Sequence, residues 1–212
     1  MRRAILGAAA VLAVAAVVIL TARDRSADAA TSARINAPAP DFSATDSFGK
    51  SRTLSAYKGK IVVLEWNNPE CPFVKKHYSS GNIPKQQMEA TANGVVWLTI
   101  NSGADGKQGH VDGTAANGFV AQYHGKPTAY LFDTDGKVGH LYGAKTTPHL
   151  FVIDEKGVLR YNGGIDSIAS TDKDDLAKAT QFVPQAIGEI KSGKPVTVPT
   201  SEPYGCSVKY GL

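Results

Sequence analysis

The chain has 212 residues, 42% of them hydrophobic and 20% charged, which is enough to bury one globular core without a metal or a disulfide lattice. Two cysteines are too few for a stapled mini-protein or a structural zinc site. The net charge is +4, and setting residues 1–29 aside leaves 19 basic and 17 acidic residues. No basic stripe interleaved with aromatics is visible, so nucleic-acid binding is excluded as a function class.

Arg2 and Arg3 precede an apolar run from Ala4 to Leu20, and Ala27-Asp28-Ala29 has the small-x-small form of a cleavage site. Residues 1–29 therefore read as a signal peptide or as an uncleaved membrane anchor, since the run is near the lower length for a spanning helix. Either way the arginines stay cytoplasmic and the globular part is exported to an extracytoplasmic, periplasm-like space, tethered to the inner membrane if uncleaved. No cysteine lies near the end of the apolar run, which excludes a lipoprotein. The destination is oxidising, so a cysteine pair can persist there as a disulfide.

Residues 30–40 are a small-residue and proline linker. Asp41 to Leu54 predicts a hairpin turning near Ser47-Phe48-Gly49-Lys50. Ile61 to Trp66 is a short continuous apolar run, the mark of a central strand buried on both faces. Asn67 to Glu70 is a turn, and Cys71-Pro72 opens a helix, proline suiting the first helical position. A second buried strand is predicted over Val95–Asn101, a glycine-rich loop over 102–113, a helix over Thr114–Tyr123 and a strand over Ala129–Phe132. Gly139 to Gly143 closes a helical turn. Thr147-Pro148 then leads into a strand over Leu150–Asp154, and Glu155-Lys156-Gly157 turns into another over Val158–Tyr161. A last helix is expected over Asp172–Ser192, interrupted at Pro184, ahead of a polar tail over 193–212 that carries Cys206. Strands alternating with helices, then a terminal hairpin and helix, predict an α/β three-layer sandwich over residues 41–192.

Cys71 falls between a buried strand and a helix amino terminus, where unpaired N–H groups and the helix dipole stabilise an anion. A thiolate is the nucleophilic form of cysteine, so this position reads as reactive. Lys75 and Lys76 favour the thiolate if they point back toward it, and Glu70 opposes them. The competing reading is a buried, inert cysteine that packs as a small apolar residue.

The segments from Val62 to Pro72 and from Tyr142 to Asp154 resemble the thioredoxin-fold redoxins, most closely the alkyl hydroperoxide reductase/thiol-specific antioxidant branch, including a peroxiredoxin-like subgroup with a Pro-Tyr-Gly-Cys-Ser-Val-Lys-Tyr tail. The resemblance covers roughly residues 37–192. It implies a thioredoxin-like fold with a central mixed sheet, Cys71 as the attacking cysteine, and Pro148 after Thr147 as a cis-proline that helps bind a partner's backbone. Trp66 reads as core or as the rim of that substrate site. Glu65, six residues before Cys71, matches the buried acid of thioredoxins. Burial raises such a carboxyl's pKa and would let it exchange protons with sulfur; the alternative is a carboxylate at the strand end that bonds to nearby backbone or to Trp66. The sequence also departs from the family patterns. Cys71-Pro72-Phe73-Val74 lacks the second cysteine of Cys-x-x-Cys. Against Pro-x-x-x-Thr-x-x-Cys, Leu64 stands at the proline position and Asn68 at the threonine position. Asn68 can still donate a hydrogen bond, but the peroxidatic arginine has no match unless the fold brings Arg160 in.

Cys206 is open to three readings: a resolving cysteine, a permanent disulfide with Cys71 worth about 4–5 kcal/mol in the chain-entropy model, or a link between chains. The five histidines, at 77, 110, 124, 140 and 149, show no metal spacing. His77 reads as a surface residue more than as a base, and His149, next to Pro148, could approach the sulfur but is not assigned a role there. Asp133-Thr134-Asp135-Gly136 reads as a turn and not a calcium loop. The expected activity is thiol–disulfide oxidoreduction, needing neither metal nor organic cofactor. Its partners would be a disulfide-bearing protein or a hydroperoxide, with a thiol reductant. A hydroperoxide-reducing thiol peroxidase, and a non-catalytic module closed by a Cys71–Cys206 disulfide, are the alternatives.

Overall fold

Ile61 begins the apolar run and β3 (Val62–Trp66) completes it, buried at every position. A strand covered on both faces belongs in the middle of a sheet. In the computed structural model, which describes residues 32–211, β3 pairs in parallel with β4 (Val96–Asn101) and antiparallel with β7 (His149–Ile153). β4 in turn pairs in parallel with β5 (Ala129–Phe132). The antiparallel hairpin β1 (Ser43–Asp46) and β2 (Ser51–Thr53) extends the β5 side, and β8 (Leu159–Gly163) extends the β7 side. The result is a mixed seven-stranded sheet, ordered β2-β1-β5-β4-β3-β7-β8.

Alternate side chains along β3 enter opposite layers. Val63 packs with Trp97, Leu150 and Val152 beneath α1 (Pro72–Ser79), α2 (Asn82–Ala92), α3 (Gly113–Gln122) and α5 (Phe182–Lys191). Val62, Leu64 and Trp66 pack with Phe42, Leu54 and Phe151 beneath α4 (Lys137–Tyr142). This is the three-layer α/β sandwich expected from the sequence. Local chemistry fixes the helix starts. Asp112 accepts from the Ala115 N–H at 2.8 Å to cap α3, and Asp133 accepts from the Val138 and Gly139 N–H groups at 2.9 and 2.8 Å. Residues 133–136 thus form a turn that launches α4.

Several elements differ from expectation. The final helix starts at Phe182, not Asp172, because Ser167 and Thr180 close a loop ahead of it through hydrogen bonds of 3.1 and 2.9 Å. Pro184 sits in the first turn of α5, where an N–H has no intrahelical partner, and so does not interrupt it. Residues 32–40 run beside β8, with the Asn36 N–H on the Leu159 carbonyl and the Ala39 N–H on the Gly157 carbonyl. The signal peptide or anchor over residues 1–29 lies outside the described residues. Among those described, no helix is long and apolar enough to cross a membrane.

The tail also docks. A Cβ on Gly163 would overlap Ser201, so glycine lets residues 200 and 201 lie against β8. Further on, β9 (Cys206–Ser207) pairs antiparallel with β6 (Thr146–Thr147), and the Tyr210 hydroxyl donates to the Ala144 carbonyl at 2.8 Å.

Candidate active site

β3 ends at Trp66, and the Asn67–Glu70 turn delivers Cys71 to the N-cap of α1, with Pro72 at its first position. Cys71 is fully buried. In its thiol form it donates to the Thr147 carbonyl at 3.0 Å. The Thr147–Pro148 peptide bond is cis, and Thr147 is the register partner of Cys206 across β6 and β9. The fold therefore brings the two cysteines together, although they are 135 residues apart in sequence.

The two sulfurs are not equivalent. Burial pushes the Cys71 thiol up, but it is outweighed by donors aimed at the sulfur: the Cys206 thiol, the Val74 N–H, the Thr147 hydroxyl and the Cys206 N–H. The net direction for Cys71 is down, toward the thiolate. Burial, the hydrogen bond it gives to Cys71 and the charge on Cys71 push Cys206 up to about 11. The surroundings therefore favour the thiolate at Cys71 and keep the proton on Cys206. Cys206→Ala removes the first of the donors, so the pKa of Cys71 should rise, moving the pH profile of its alkylation by iodoacetamide to higher pH. An unchanged profile would show that Cys206 does not tune Cys71.

The lysines contribute nothing comparable. Lys76 is buried with its ammonium on the Ser170 carbonyl at 2.8 Å, and Lys75 points to solvent. Glu65 shares the layer of Cys71 but sends no hydrogen bond to it. Its carboxylate accepts from Tyr78 OH at 2.7 Å, Trp97 Nε1 at 2.7 Å, Gln87 Nε2 at 3.0 Å, Asn67 Nδ2 at 3.1 Å and Thr99 Oγ1 at 3.2 Å. The Asn68 amide is committed to the loop over 102–113. It donates to Gln108 Oε1 at 3.1 Å and accepts from the Glu70 N–H at 2.8 Å. Trp66, expected at the substrate site, lies in the opposite layer with its Nε1 donating to Ser102 Oγ at 3.0 Å; strand alternation turns it away from Cys71. Arg160 is paired with Asp154 at 2.8 Å and does not supply a guanidinium to the sulfur.

His149 is buried with both nitrogens used. Nδ1 accepts from the Lys145 N–H at 3.2 Å, so Nε2 carries the proton that it gives to Asn162 Oδ1 at 2.7 Å. Burial holds it down to about 4, so it is neutral at pH 7. His77 corrects the surface expectation: it is fully buried, because its face of α1 is covered by Asp166 and by Tyr204 from the tail. Asp166 carries no signal in the sequence, while Tyr204 belongs to the Pro-Tyr-Gly-Cys-Ser-Val-Lys-Tyr tail, which points to Cys206 and not to a contact with His77.

The AhpC/TSA family model matches residues 35–162. No curated protein matches. A hypothetical protein of Sinorhizobium meliloti is 23% identical with a TM-score of 0.71, over 86% of this chain and 97% of its own. An uncharacterized conserved protein of Geobacillus kaustophilus is 21% identical with a TM-score of 0.72, over 84% and 93%. A Chlorobium tepidum protein, named as a candidate thiol:disulfide interchange protein DsbE, is 26% identical with a TM-score of 0.50, over 62% and 85%. The first two share the thioredoxin-like fold; the third shares it with a redox assignment attached. By the family match over more than half its length, this chain belongs to the AhpC/TSA family of thioredoxin-fold redoxins.

Proposed function

We propose that this protein is an exported thiol–disulfide oxidoreductase in which Cys71 attacks and Cys206 resolves. The observation that carries the reading is the pairing of Thr147 with Cys206, which sets a thiol against a buried sulfur whose other neighbours favour the thiolate. The Cys71 thiolate attacks one sulfur of a substrate disulfide. That bond breaks, and its electron pair leaves on the second substrate sulfur. Cys206 then attacks the Cys71 sulfur, its proton passing to the departing substrate thiolate. The substrate disulfide is reduced to two thiols, the first-released thiolate taking its proton from solvent, and the Cys71–Cys206 pair is oxidised to a disulfide that an external dithiol reductant reopens. A low-pKa sulfur such as Cys71 is also a good leaving group in that reopening.

Thr147 supplies a hydroxyl to the nucleophile and backbone to a partner, with Pro148 beside it. Glu65 acts through Tyr78, tying α1 to β3. Asn68 shapes the turn before Cys71. Hydroperoxide reduction is the weaker reading, because Arg160 and Asn68 are committed elsewhere and leave the peroxide without its usual polarising groups. The basic and apolar residues at the amino terminus support export, with tethering to the membrane if that segment is retained.

The test is trapping. Cys206→Ser should accumulate a covalent adduct between Cys71 and a disulfide-bearing polypeptide, read by mass spectrometry without reductant, whereas wild type and Cys71→Ser should not. Failure of Cys206→Ser to form the adduct would remove the resolving role.

A further inference from the structure

The tail does more than carry Cys206. Among the described residues, β6 has one strand partner, β9, and the pair stands apart from the main sheet. Strand pairing uses backbone groups that every residue carries, so any extended segment of suitable shape can take that edge. The register sets a cysteine opposite Thr147 and against Cys71, where an incoming disulfide sulfur has to lie for attack. While β9 is docked, Cys71 is fully buried.

We propose that β9 is an internal occupant of the docking edge for an extended, disulfide-bearing polypeptide, and that Tyr204, seated between His77 and Asp166, is the latch that holds it there. The inference rests on the thiol–disulfide reading above and adds to it the control of access to Cys71 by the chain's own tail.

Two features make the occupant close-fitting and releasable. Gly205 has φ +136°, a conformation that L side chains rarely adopt, and a Cβ there would overlap the Thr147 carbonyl. The backbone can approach β6 this closely because the residue is glycine. The latch is formed by the Tyr204 hydroxyl, which donates to Asp166 Oδ1 and lies 3.0 Å from His77 Nε2. His77 Nδ1 is 2.9 Å from Asn82 Nδ2 and accepts from it, which leaves the proton on Nε2, facing Tyr204. The seat is incompletely satisfied: Asp166 Oδ2 is buried, has no hydrogen-bond partner among the described residues and lies 3.9 Å from His77 Nε2. A buried acceptor without a donor is unfavourable, and water entering as Tyr204 leaves would satisfy it, so opening costs less than it would from a complete network. Phe73 packs edge-on against Tyr204, with centroids 5.7 Å apart, and its ring would be uncovered beside Cys71 when the latch opens.

The experiment uses the full chain with Cys206→Ser, which leaves Cys71 as the only cysteine. Adding Tyr204→Phe, which keeps the ring but removes the hydroxyl, or Gly205→Ala should raise the rate of Cys71 alkylation by iodoacetamide about tenfold. Both changes should speed adduct formation with a disulfide-bearing polypeptide such as insulin more than with hydroxyethyl disulfide. In the unsubstituted chain, the amides of residues 205–208 should exchange hydrogen through an opening well below the global unfolding free energy. Unchanged alkylation in both variants, equal acceleration toward the two disulfides, or exchange of these amides only on global unfolding would each overturn the proposal. Alkylation and exchange need no turnover, so a latch that opens around a redox-inactive Cys71 would refute the enzyme reading alone.

Discussion

Cys71→Ser is expected to lower the reduction of insulin disulfides, driven by a dithiol reductant, by about a thousandfold or more. Serine occupies the same N-cap and can give the same hydrogen bond to the Thr147 carbonyl, so the fold should persist and the loss should be chemical. The donors around Cys71 pull a thiol's pKa down from its ordinary value, but a serine hydroxyl starts far higher and they cannot make it an alkoxide at neutral pH. The measurement is the initial turnover rate of wild type and variant, with matching circular dichroism spectra as the control for folding. Equal turnover would remove the enzyme reading, leaving a thioredoxin-fold module whose cysteine pair serves stability.

What the sequence made legible follows from how local the signals are. The apolar run ending at Trp66, followed by a turn and Cys71-Pro72, specifies a buried strand, a helix start and a sulfur at the cap. Each of these is written in adjacent residues. Apart from Val74, the residues that tune that sulfur are distant in sequence. Thr147 and Cys206 are 59 residues apart and meet in strands two residues long, too short to leave any periodicity. α2 went unassigned because Asn82-Ile83-Pro84-Lys85-Gln86-Gln87 is mostly polar; Gln86 and Gln87 are nevertheless buried, with Gln87 reaching Glu65. His77 was misplaced for a related reason. A polar residue on a short helix reads as solvent-facing until a distant carboxylate and a distant tyrosine cover it. Trp66 shows the opposite error: adjacency to the site in sequence suggested adjacency in space, and strand alternation sent it to the other layer.

Glu65→Leu should destabilise the fold by about 3–4 kcal/mol at neutral pH, measured by urea denaturation. Leucine fills much of the space but accepts nothing, and the five donors now gathered on one carboxylate would lose their acceptor. Gln87 has alternatives in Tyr78 OH at 3.1 Å and Thr99 Oγ1 at 3.5 Å. The buried Trp97 Nε1 is within hydrogen-bonding range of no other acceptor among the described residues. A loss below about 1 kcal/mol would mean that these donors find water or each other. The pH dependence has a defined sign. Burial pushes the Glu65 carboxyl up, while hydrogen bonds from Tyr78, Trp97, Asn67 and Gln87 pull it part of the way back. A folded pKa above the unfolded one gives stability that is fully present below the ordinary glutamate value and is lost as pH rises through the raised one. The advantage of wild type over Glu65→Leu should therefore be greatest at acid pH and narrow upward. The same variant separates two roles for the carboxyl. No hydrogen bond from Glu65 reaches Cys71, so a positioning role through Tyr78 leaves the alkylation pH profile of Cys71 much less changed than Cys206→Ala does. A proton relay would shift it as far.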